Sequence, residues 1–355
     1  MSQLDRQPDN AAPVHAVRRG ALAHLTLDRP RALNALNGEM CELLTEALLG
    51  FASDESVACV AIDGAGGRAF CAGGDVVMLH DSGKVGDGRA ESFWRTEYAL
   101  NELIHRYAKP YVALIDGIVM GGGVGMSVHG RYRVAGDTTL FAMPETGIGY
   151  FPDVGGSFFL PRLGEGDSLA IGNWLGLTGA RLGPSQCLDL DIATHFVPTE
   201  RHADLLGALA AGGDVQDILG DFHATPPDGE PVPDTVQCFD RASVAAIIDA
   251  LEADGSDWAL AQLGQLRRKS PLALCVTFEA MRRGRRMSFR EAMTQELDLS
   301  LNFLATQDFY EGIRAQLIDK DRKPQWSHDG VDTVTDEQVA RMFRNVAEPP
   351  QAFLD

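Results

Sequence analysis

Two glycine-rich loops and two carboxylates in this 355-residue chain have the residue types of acid–base chemistry on a carbonyl compound. Gly73 and Gly74 follow an apolar run, and Gly122 lies in a GGG run between a β-like segment and a predicted helix. Backbone N–H groups in such loops can approach an oxyanion closely because no Cβ is in the way. Glu145 and Asp153 come next in the chain, and carboxylates beside an oxyanion site are suited to proton transfer.

Each of these residues also has an ordinary structural interpretation. Glycine loops allow tight turns, Asp153 could cap the next helix, and Glu97 could be an exposed charge on a helix. Glu145 follows the apolar sequence FAMP, and desolvation at an apolar strand end should raise its pKa toward that of a general base. The recurrence of the strand, glycine loop and helix pattern favours the catalytic interpretation over the structural one.

The elements around these loops predict an α/β layer fold. Residues 15–28 alternate apolar and polar about Gly20, which predicts a hairpin, and a helix is expected from Asn37 to about Phe51. Repeated strand, loop and helix units indicate parallel strands with crossover helices. Glu97 falls in the middle of a further predicted helix, 89–108.

Three regions are predicted along the chain. A core domain spans residues 12–210, and a Gly-, Asp- and Pro-rich segment at 211–240 is linker-like. Residues 241–345 are predicted to be helical, with Ser270 and Pro271 starting one helix and a long amphipathic segment running from Phe289 to about Leu317. The last dozen residues and the N-terminus are predicted to be disordered.

Composition excludes several classes of protein. The formal net charge of −19 argues against a general binder of nucleic acid or anionic membranes, because those partners require a positive field. The six cysteines are scattered and have no histidine at ligand spacing, which predicts neither a metal site nor disulfides. With no long apolar run in the chain, these features predict a soluble, untargeted, cytoplasmic protein.

Two other motifs in the sequence have a functional and a structural interpretation. GMSVHG nearly spells a nucleophile elbow around Ser127, but His129 stands where the second glycine belongs, and Ser127 is therefore expected inside a helix. A cluster of basic residues near 267–290 could bind phosphate, although a solvated helix face is the more common role of such residues.

The sequence resembles the crotonase (enoyl-CoA hydratase/isomerase) superfamily, and within it most closely the 3-hydroxyisobutyryl-CoA hydrolase branch. The similarity covers nearly the whole chain. The matching stretches are LDRPRALNALN (27–37), AFCAGGD (69–75), RTEYALN (95–101), KPYVALIDGIVMGGGVGMSVHGRYRVA (109–135), LFAMPETGIGYFPDVGGSFFLPRL (140–163), ATHFV (193–197) and DFYEGIRAQLIDKDRKPQW (308–326).

The resemblance implies a spiral of repeated ββα units with a helical C-terminal region. It also implies an acyl-CoA substrate whose thioester oxygen meets the N–H groups of Gly74 and Gly122. Glu145 becomes the catalytic carboxylate, Asp153 holds the substrate hydroxyl, and further contacts to the substrate come from Glu97 and Gly73. The resemblance implies no cofactor beyond the coenzyme A of the substrate. It also implies a homo-oligomer, the assembly that is common in the superfamily.

One departure from the hydratases favours the hydrolase branch. Hydratases use two glutamates, and Gly125 stands where the second is expected. The sequence therefore predicts hydrolysis of a short branched 3-hydroxyacyl-CoA, as in valine breakdown, with Glu145 either activating water or attacking the carbonyl itself. The alternatives are an enoyl-CoA hydratase or isomerase with a relocated second carboxylate, and a non-catalytic acyl-CoA-binding protein.

Overall fold

A computed structural model describes residues 12–164 and 166–347, and the predicted disordered ends lie largely outside that range. The strands of the described part are Val14–Arg19 (β1), Leu22–Leu27 (β2), Cys59–Gly64 (β3), Ala69–Cys71 (β4), Tyr111–Leu114 (β5), Ile118–Met120 (β6), Tyr132–Ala135 (β7), Leu140–Ala142 (β8) and His195–Phe196 (β9).

The α-helices of the same part fall into two groups. The first group is Gly38–Ser53 (α1), Val76–Val85 (α2), Arg89–His105 (α3), Gly122–Gly125 (α4), Gly156–Phe159 (α5), Ala170–Thr178 (α6), Pro184–Asp189 (α7), His202–Ala211 (α8) and Val215–Phe222 (α9). The second group is Val244–Asp254 (α10), Asp257–Leu266 (α11), Pro271–Gly284 (α12), Phe289–Phe303 (α13), Gln307–Ile313 (α14) and Asp336–Met342 (α15).

Two sheets are built by a repeated ββα unit. The larger sheet has the order β1-β2-β3-β5-β7-β9, and the smaller has the order β4-β6-β8. After the antiparallel β1–β2 hairpin, all pairings are parallel. The chain places one strand in the larger sheet, the next in the smaller sheet and then returns through helical turns, three times in succession. This is the predicted α/β spiral of ββα units, and the hairpin is confirmed.

Side-chain caps begin several helices where the sequence predicted them. The Asn37 side chain accepts from the N–H of Met40 at the start of α1, and Ser270 caps α12 with Pro271 at its first position. Each cap satisfies one N–H group that has no partner within the helix. The polar and proline residues at these positions therefore determine where the helices begin.

Both faces of the larger sheet are buried at its inner strands β2, β3 and β5, whereas the edge strand β1 is largely exposed. Alternate residues of β3 point to opposite sides, with Val60 and Ile62 in the main core and Cys59 and Ala61 in a second cluster. Helices α8 and α9 cover that second cluster with apolar residues that include Leu205, Leu209, Val215 and Leu219. The segment 211–240 thus includes a packed helix, α9, before the residues of the predicted linker-like stretch that follow it.

The C-terminal helices share the main hydrophobic cluster with the ββα units. Helix α13 packs on α3, and α12 packs on α5 and α6. The predicted amphipathic segment from Phe289 to about Leu317 is divided, because helix α13 ends at Phe303 and Thr306 caps a second helix, α14. The division into domains at 210 and 240 remains a prediction.

Candidate active site

The small sheet brings the two glycine loops and the Pro-Glu turn to one edge. Its three strands are parallel, with Val119 of β6 opposite Cys71 of β4 and Phe141 of β8. The carboxyl ends of parallel strands meet at the same edge, and ligands bind there in many α/β proteins. The AGG loop follows β4, the GGG loop follows β6, and Glu145 follows β8.

The two glycine loops touch each other. A Cβ built on Gly122 would lie 3.3 Å from the carbonyl carbon of Gly73, and one built on Gly73 would lie 3.9 Å from the Gly122 nitrogen. The N–H groups of Gly74 and Gly122 donate to no other residue within the described ranges. The loops therefore hold unpaired N–H donors near one another, which is the arrangement that an oxyanion site requires.

The helix after the GGG run is shorter than the sequence predicted. Helix α4 spans only Gly122–Gly125, and non-helical turns follow to His129. Ser127, expected inside a helix, lies in these turns and donates to the carbonyl of Gly123 at 2.8 Å. A helix of one turn contributes little macrodipole, and the backbone N–H groups themselves must supply the stabilisation of an oxyanion.

Glu145 begins a 3₁₀ turn, Glu145–Ile148, and is buried. Its Oε1 lies 3.2 Å from the position of a Cβ built on Gly121, beside the GGG loop. Burial raises the pKa of Glu145 well above its ordinary value, and the nearby Asp153 raises it further, whereas a backbone hydrogen bond and Lys269 lower it. A desolvated carboxylate next to an oxyanion site is suited to act as a base or nucleophile.

Lys269 is a positively charged residue whose charge lowers the pKa of Glu145. Its Nζ lies 3.3 Å from the position of a Cβ built on Gly147, in the turn that Glu145 begins. Burial lowers the pKa of Lys269 to about 8, although the charge of Glu145 opposes this change. The basic cluster predicted as a solvated face therefore has one member that extends inward to the candidate site.

Asp153 is buried and is held by two phenols. Its Oδ2 accepts hydrogen bonds from Tyr98 Oη at 2.8 Å and Tyr150 Oη at 3.3 Å, and Ser300 Oγ bonds both phenols. Burial raises the pKa of Asp153 to about 6, against the lowering effect of the phenol hydrogen bonds. The N-cap of α5 is Gly155, so the interpretation of Asp153 as a helix cap is excluded.

Glu97 is not an exposed helix charge. It is 2% exposed, and its Oε1 lies 2.5 Å from the position of a Cβ built on Gly122. Burial and the charge of Asp153 raise the pKa of Glu97 well above its ordinary value. Glu97, Glu145 and Asp153 thus form a buried set of carboxyls, and like-charge repulsion keeps them from all being ionised together.

The turn after Asp153 has a strained backbone, and hydrogen bonds to His129 and Glu296 hold it in place. Val154, a β-branched residue, has φ +53°, a backbone conformation that costs about 1–3 kcal/mol and persists only where surrounding contacts hold it. His129 Nε2 donates to the Val154 carbonyl at 2.7 Å, and Glu296 accepts from the N–H of Gly155 at 2.7 Å. Burial lowers the pKa of His129 to about 3, which keeps the ring neutral.

A family comparison decides the assignment of the chain. The model of the enoyl-CoA hydratase/isomerase family matches residues 22–343. The chain belongs to this family. Its members' fold is therefore the fold described above, and the crotonase-like resemblance is confirmed.

Relatives in this family are similar along nearly their full length. A protein of Xenopus tropicalis named 3-hydroxyisobutyryl-CoA hydrolase, mitochondrial, is 44% identical, with 93% of this chain and 88% of that protein covered. A solved carnitinyl-CoA dehydratase of Mycobacterium thermoresistibile is 38% identical, with a TM-score of 0.89 over 96% of this chain and 99% of that one. A solved enoyl-CoA hydratase of Rhodobacter sphaeroides 2.4.1 is 40% identical, with a TM-score of 0.83 over 94% and 98%.

The predicted cytoplasmic location is wrong by this comparison, because the family relatives named as hydrolases are named mitochondrial. The prediction rested on unpaired cysteines and on the lack of a long apolar run, which argue against secretion and membrane insertion but do not distinguish among reducing compartments. Within residues 12–164 and 166–347, no helix is long and apolar enough to cross a membrane.

Several polar residues of the family site were missed by the sequence reasoning. Tyr98 lies beside Glu97 in the quoted stretch RTEYALN, but Ser300 and Glu296 come from α13, far along the chain. Ser300 and Glu296 reach the site only because α13 packs on α3. A local sequence pattern does not predict such contacts. The sequence singles out His129 only because it replaces the second glycine of a nucleophile-elbow motif.

Asp153→Asn is expected to gain stability over the native protein as the pH rises. The folded-state pKa of Asp153 is about 6 instead of 3.8, so the native protein loses stability as the pH rises through 6, whereas asparagine does not titrate. About one pH unit of this shift lies between pH 5 and the folded-state pKa, which corresponds to roughly 1.4 kcal/mol in the free energy of unfolding between pH 5 and pH 8. Urea unfolding of both proteins at pH 5 and pH 8 measures it.

The matched control is Asp249→Asn, which changes an exposed aspartate of α10. Its stability relative to the native protein should change little between the two pH values. If Asp153→Asn behaved like this control, Asp153 would not be desolvated in the folded protein.

Proposed function

We propose that this chain hydrolyses 3-hydroxyisobutyryl-CoA to the free acid and coenzyme A, the activity that the names of its relatives state. The observation that supports it best is the set of buried carboxyls at the glycine loops. Glu145 is present beside the GGG loop, while Gly125, where hydratases carry a second glutamate, has no room for a side chain. Such a site has a base or nucleophile for thioester cleavage but lacks the carboxylate pair for hydration.

In the proposed reaction the thioester oxygen binds at the N–H groups of Gly74 and Gly122, with Gly73 lining the same loop. Glu145 either takes a proton from water or attacks the carbonyl carbon to give a mixed anhydride that water then cleaves. Asp153 binds the 3-hydroxyl group of the substrate. Glu97, with its raised pKa, serves as a neutral polar contact for the acyl group.

The test is a free-thiol release assay on the native protein with a panel of acyl-CoA esters. Release from 3-hydroxyisobutyryl-CoA, with slow release from isobutyryl-CoA, supports the proposal. Release at equal rates from both esters would remove the 3-hydroxyl group from recognition and would contradict the proposed substrate class.

Asp153→Ala is expected to abolish this discrimination between the two esters. A site built to hydrogen-bond a hydroxyl rejects the analogue that lacks it by factors of up to about 10⁴. The variant should therefore lose kcat/KM on 3-hydroxyisobutyryl-CoA and keep its rate on isobutyryl-CoA. Equal losses on both esters would show that Asp153 only supports the fold of the turn.

A second candidate is hydration of an enoyl-CoA, which the similarity to the enoyl-CoA hydratase of Rhodobacter sphaeroides 2.4.1 favours. It would need Glu97 or Asp153 as the second carboxylate. Hydration consumes the α,β-double bond without releasing thiol, so the two reactions have different readouts. A non-catalytic acyl-CoA-binding protein, the third candidate, would show neither readout, and the buried Glu145 argues against it.

The remaining features of the function are also proposals. We expect the activity to serve valine breakdown. We expect catalysis without a metal or cofactor other than the coenzyme A of the substrate, and assembly into a homo-oligomer. Dialysis against a chelator and light scattering of the purified protein test these two expectations.

A further inference from the structure

Asn101 is a buried amide without hydrogen-bond partners. It lies one helical turn after Glu97 in α3 and is completely buried, and neither its Nδ2 nor its Oδ1 has a partner in the described part of the chain. Buried amides in folded proteins are almost always hydrogen-bonded to protein or to ordered water. The amide of Asn101 therefore needs a partner that the chain itself does not supply.

The amide lies against Gly125. A Cβ built on Gly125 would lie 2.8 Å from Asn101 Nδ2, 3.1 Å from Asn101 Oδ1 and 2.7 Å from Val154 Cβ. Asn101 and the strained turn after Asp153 thus fill the space that a side chain at position 125 would need. The amide occupies the place of the missing carboxylate.

The amide also has polar neighbours that lack partners. Gly122 and Gly125 are one turn apart on α4, and residues at that spacing have Cβ positions about 5–6 Å apart. Glu97 lies against the first glycine and Asn101 against the second. Glu97 Oε1 and Glu145 Oε2, both at the same GGG loop, are likewise unpaired. All three side chains thus lie against the segment Gly121–Gly125 and carry unpaired polar atoms.

We propose that Asn101 is a positioning residue that holds the water molecule for hydrolysis, an inference that rests on the proposed function. A buried water needs two to four polar partners, and these side chains offer the amide N–H of Asn101 as donor and the carboxyl oxygens of Glu97 and Glu145 as acceptors. The 3-hydroxyl group of the substrate already has a partner in Asp153. Water is the remaining reactant that the reaction requires.

The chemistry balances in either route open to Glu145. In the direct route the water oxygen attacks the thioester carbon, one water proton passes to the Glu145 carboxylate, the C–S bond breaks, and the leaving thiolate takes that proton. In the anhydride route Glu145 has already displaced the thiolate, which takes a proton from solvent. The water oxygen then attacks the acyl carbon of the anhydride, the bond to Glu145 breaks, and the water proton leaves with solvent.

Asn101→Leu tests the proposal, because leucine has a similar volume and no polar atoms. We expect kcat for thiol release from 3-hydroxyisobutyryl-CoA to fall by on the order of 10²-fold, the effect of losing the alignment of a reactant. KM and the melting temperature should not worsen, since an unpaired buried amide is replaced by an apolar group. Hydroxylamine, a nucleophile added in excess that does not need the amide, should restore thiol release and yield the hydroxamate.

Gln295→Met is the matched control, since Gln295 of α13 is also buried with both amide atoms unpaired. It should keep the native kcat. Asn101→Asp, which keeps the shape but has no N–H to donate when ionised, should lower kcat in the same way and serves if the leucine variant does not fold.

Two results would overturn the role of Asn101. Native kcat in a folded Asn101→Leu protein would show that the amide holds nothing needed for the reaction. A kcat loss that hydroxylamine does not reverse would show a general disturbance of the site. Absence of thiol release from the native protein is a separate outcome, because it overturns the proposed function and this inference with it.

Discussion

Glu145→Gln is expected to lower kcat for thiol release by roughly 10²–10⁴-fold or more, the range for lost acid–base catalysis. The substitution keeps the shape of the side chain and removes its ability to take a proton or to attack a carbonyl carbon. Glu145 is 7% exposed and stands at the edge where the three loops meet. Substrate affinity should persist, because the oxyanion loops and Asp153 are unchanged, and pre-steady-state binding measurements can separate it from turnover.

The stability of the same variant relative to the native protein should increase as the pH rises. Burial raises the pKa of Glu145 in the folded state, so the native protein loses stability as the pH rises through that raised value, and glutamine does not. Glu46→Gln, on the exposed side of α1, is the matched control and should change neither property. Turnover at the native rate would remove Glu145 from the mechanism.

Gly122→Ala is expected to lower kcat by about 10²–10³-fold, the cost of removing one oxyanion donor. The new Cβ would lie 2.5 Å from Glu97 Oε1 and 3.1 Å from Leu36 Cδ1, so the GGG loop or the Glu97 side chain must move. Movement of the loop displaces the N–H of Gly122 from the thioester oxygen. Steady-state kinetics with 3-hydroxyisobutyryl-CoA measure the loss.

Gly38→Ala is the control for a methyl group added to a helix start. No atom lies within 4 Å of a Cβ built on Gly38, so kcat and folding should be unchanged. Circular dichroism should show that both alanine variants are folded. A folded Gly122→Ala protein with native kcat would place oxyanion stabilisation elsewhere.

The parts of the site that follow from local pattern could be predicted from the sequence. Glycine after a β-like run, and glutamate after the next one, indicate loops at strand ends, and parallel strands bring such ends to one edge. Gly74, Gly122 and Glu145 meet there for that reason. The burial of Glu97 could not be deduced in this way, because a glutamate within a helix has the same local pattern on either face.

The rest of the site depends on contacts between distant segments. Tyr98 and Ser300 are 202 residues apart, and Gly155 and Glu296 are 141 apart. No periodicity encodes such pairs, since they arise only when α13 packs on α3. The position of the break between α13 and α14 is hidden in the sequence for a related reason, because the apolar period continues through Leu304 and only the Thr306 cap marks the new helix.

The most direct test of the central claim compares two reactions of the native protein in parallel. Thiol release from 3-hydroxyisobutyryl-CoA and loss of the enoyl absorbance of crotonyl-CoA are each followed at the same enzyme concentration. The geometry at Gly125 predicts rapid thiol release and negligible hydration, with release lost in Glu145→Gln. Robust hydration of crotonyl-CoA without thiol release from the 3-hydroxyacyl ester would contradict the hydrolase assignment and favour a hydratase.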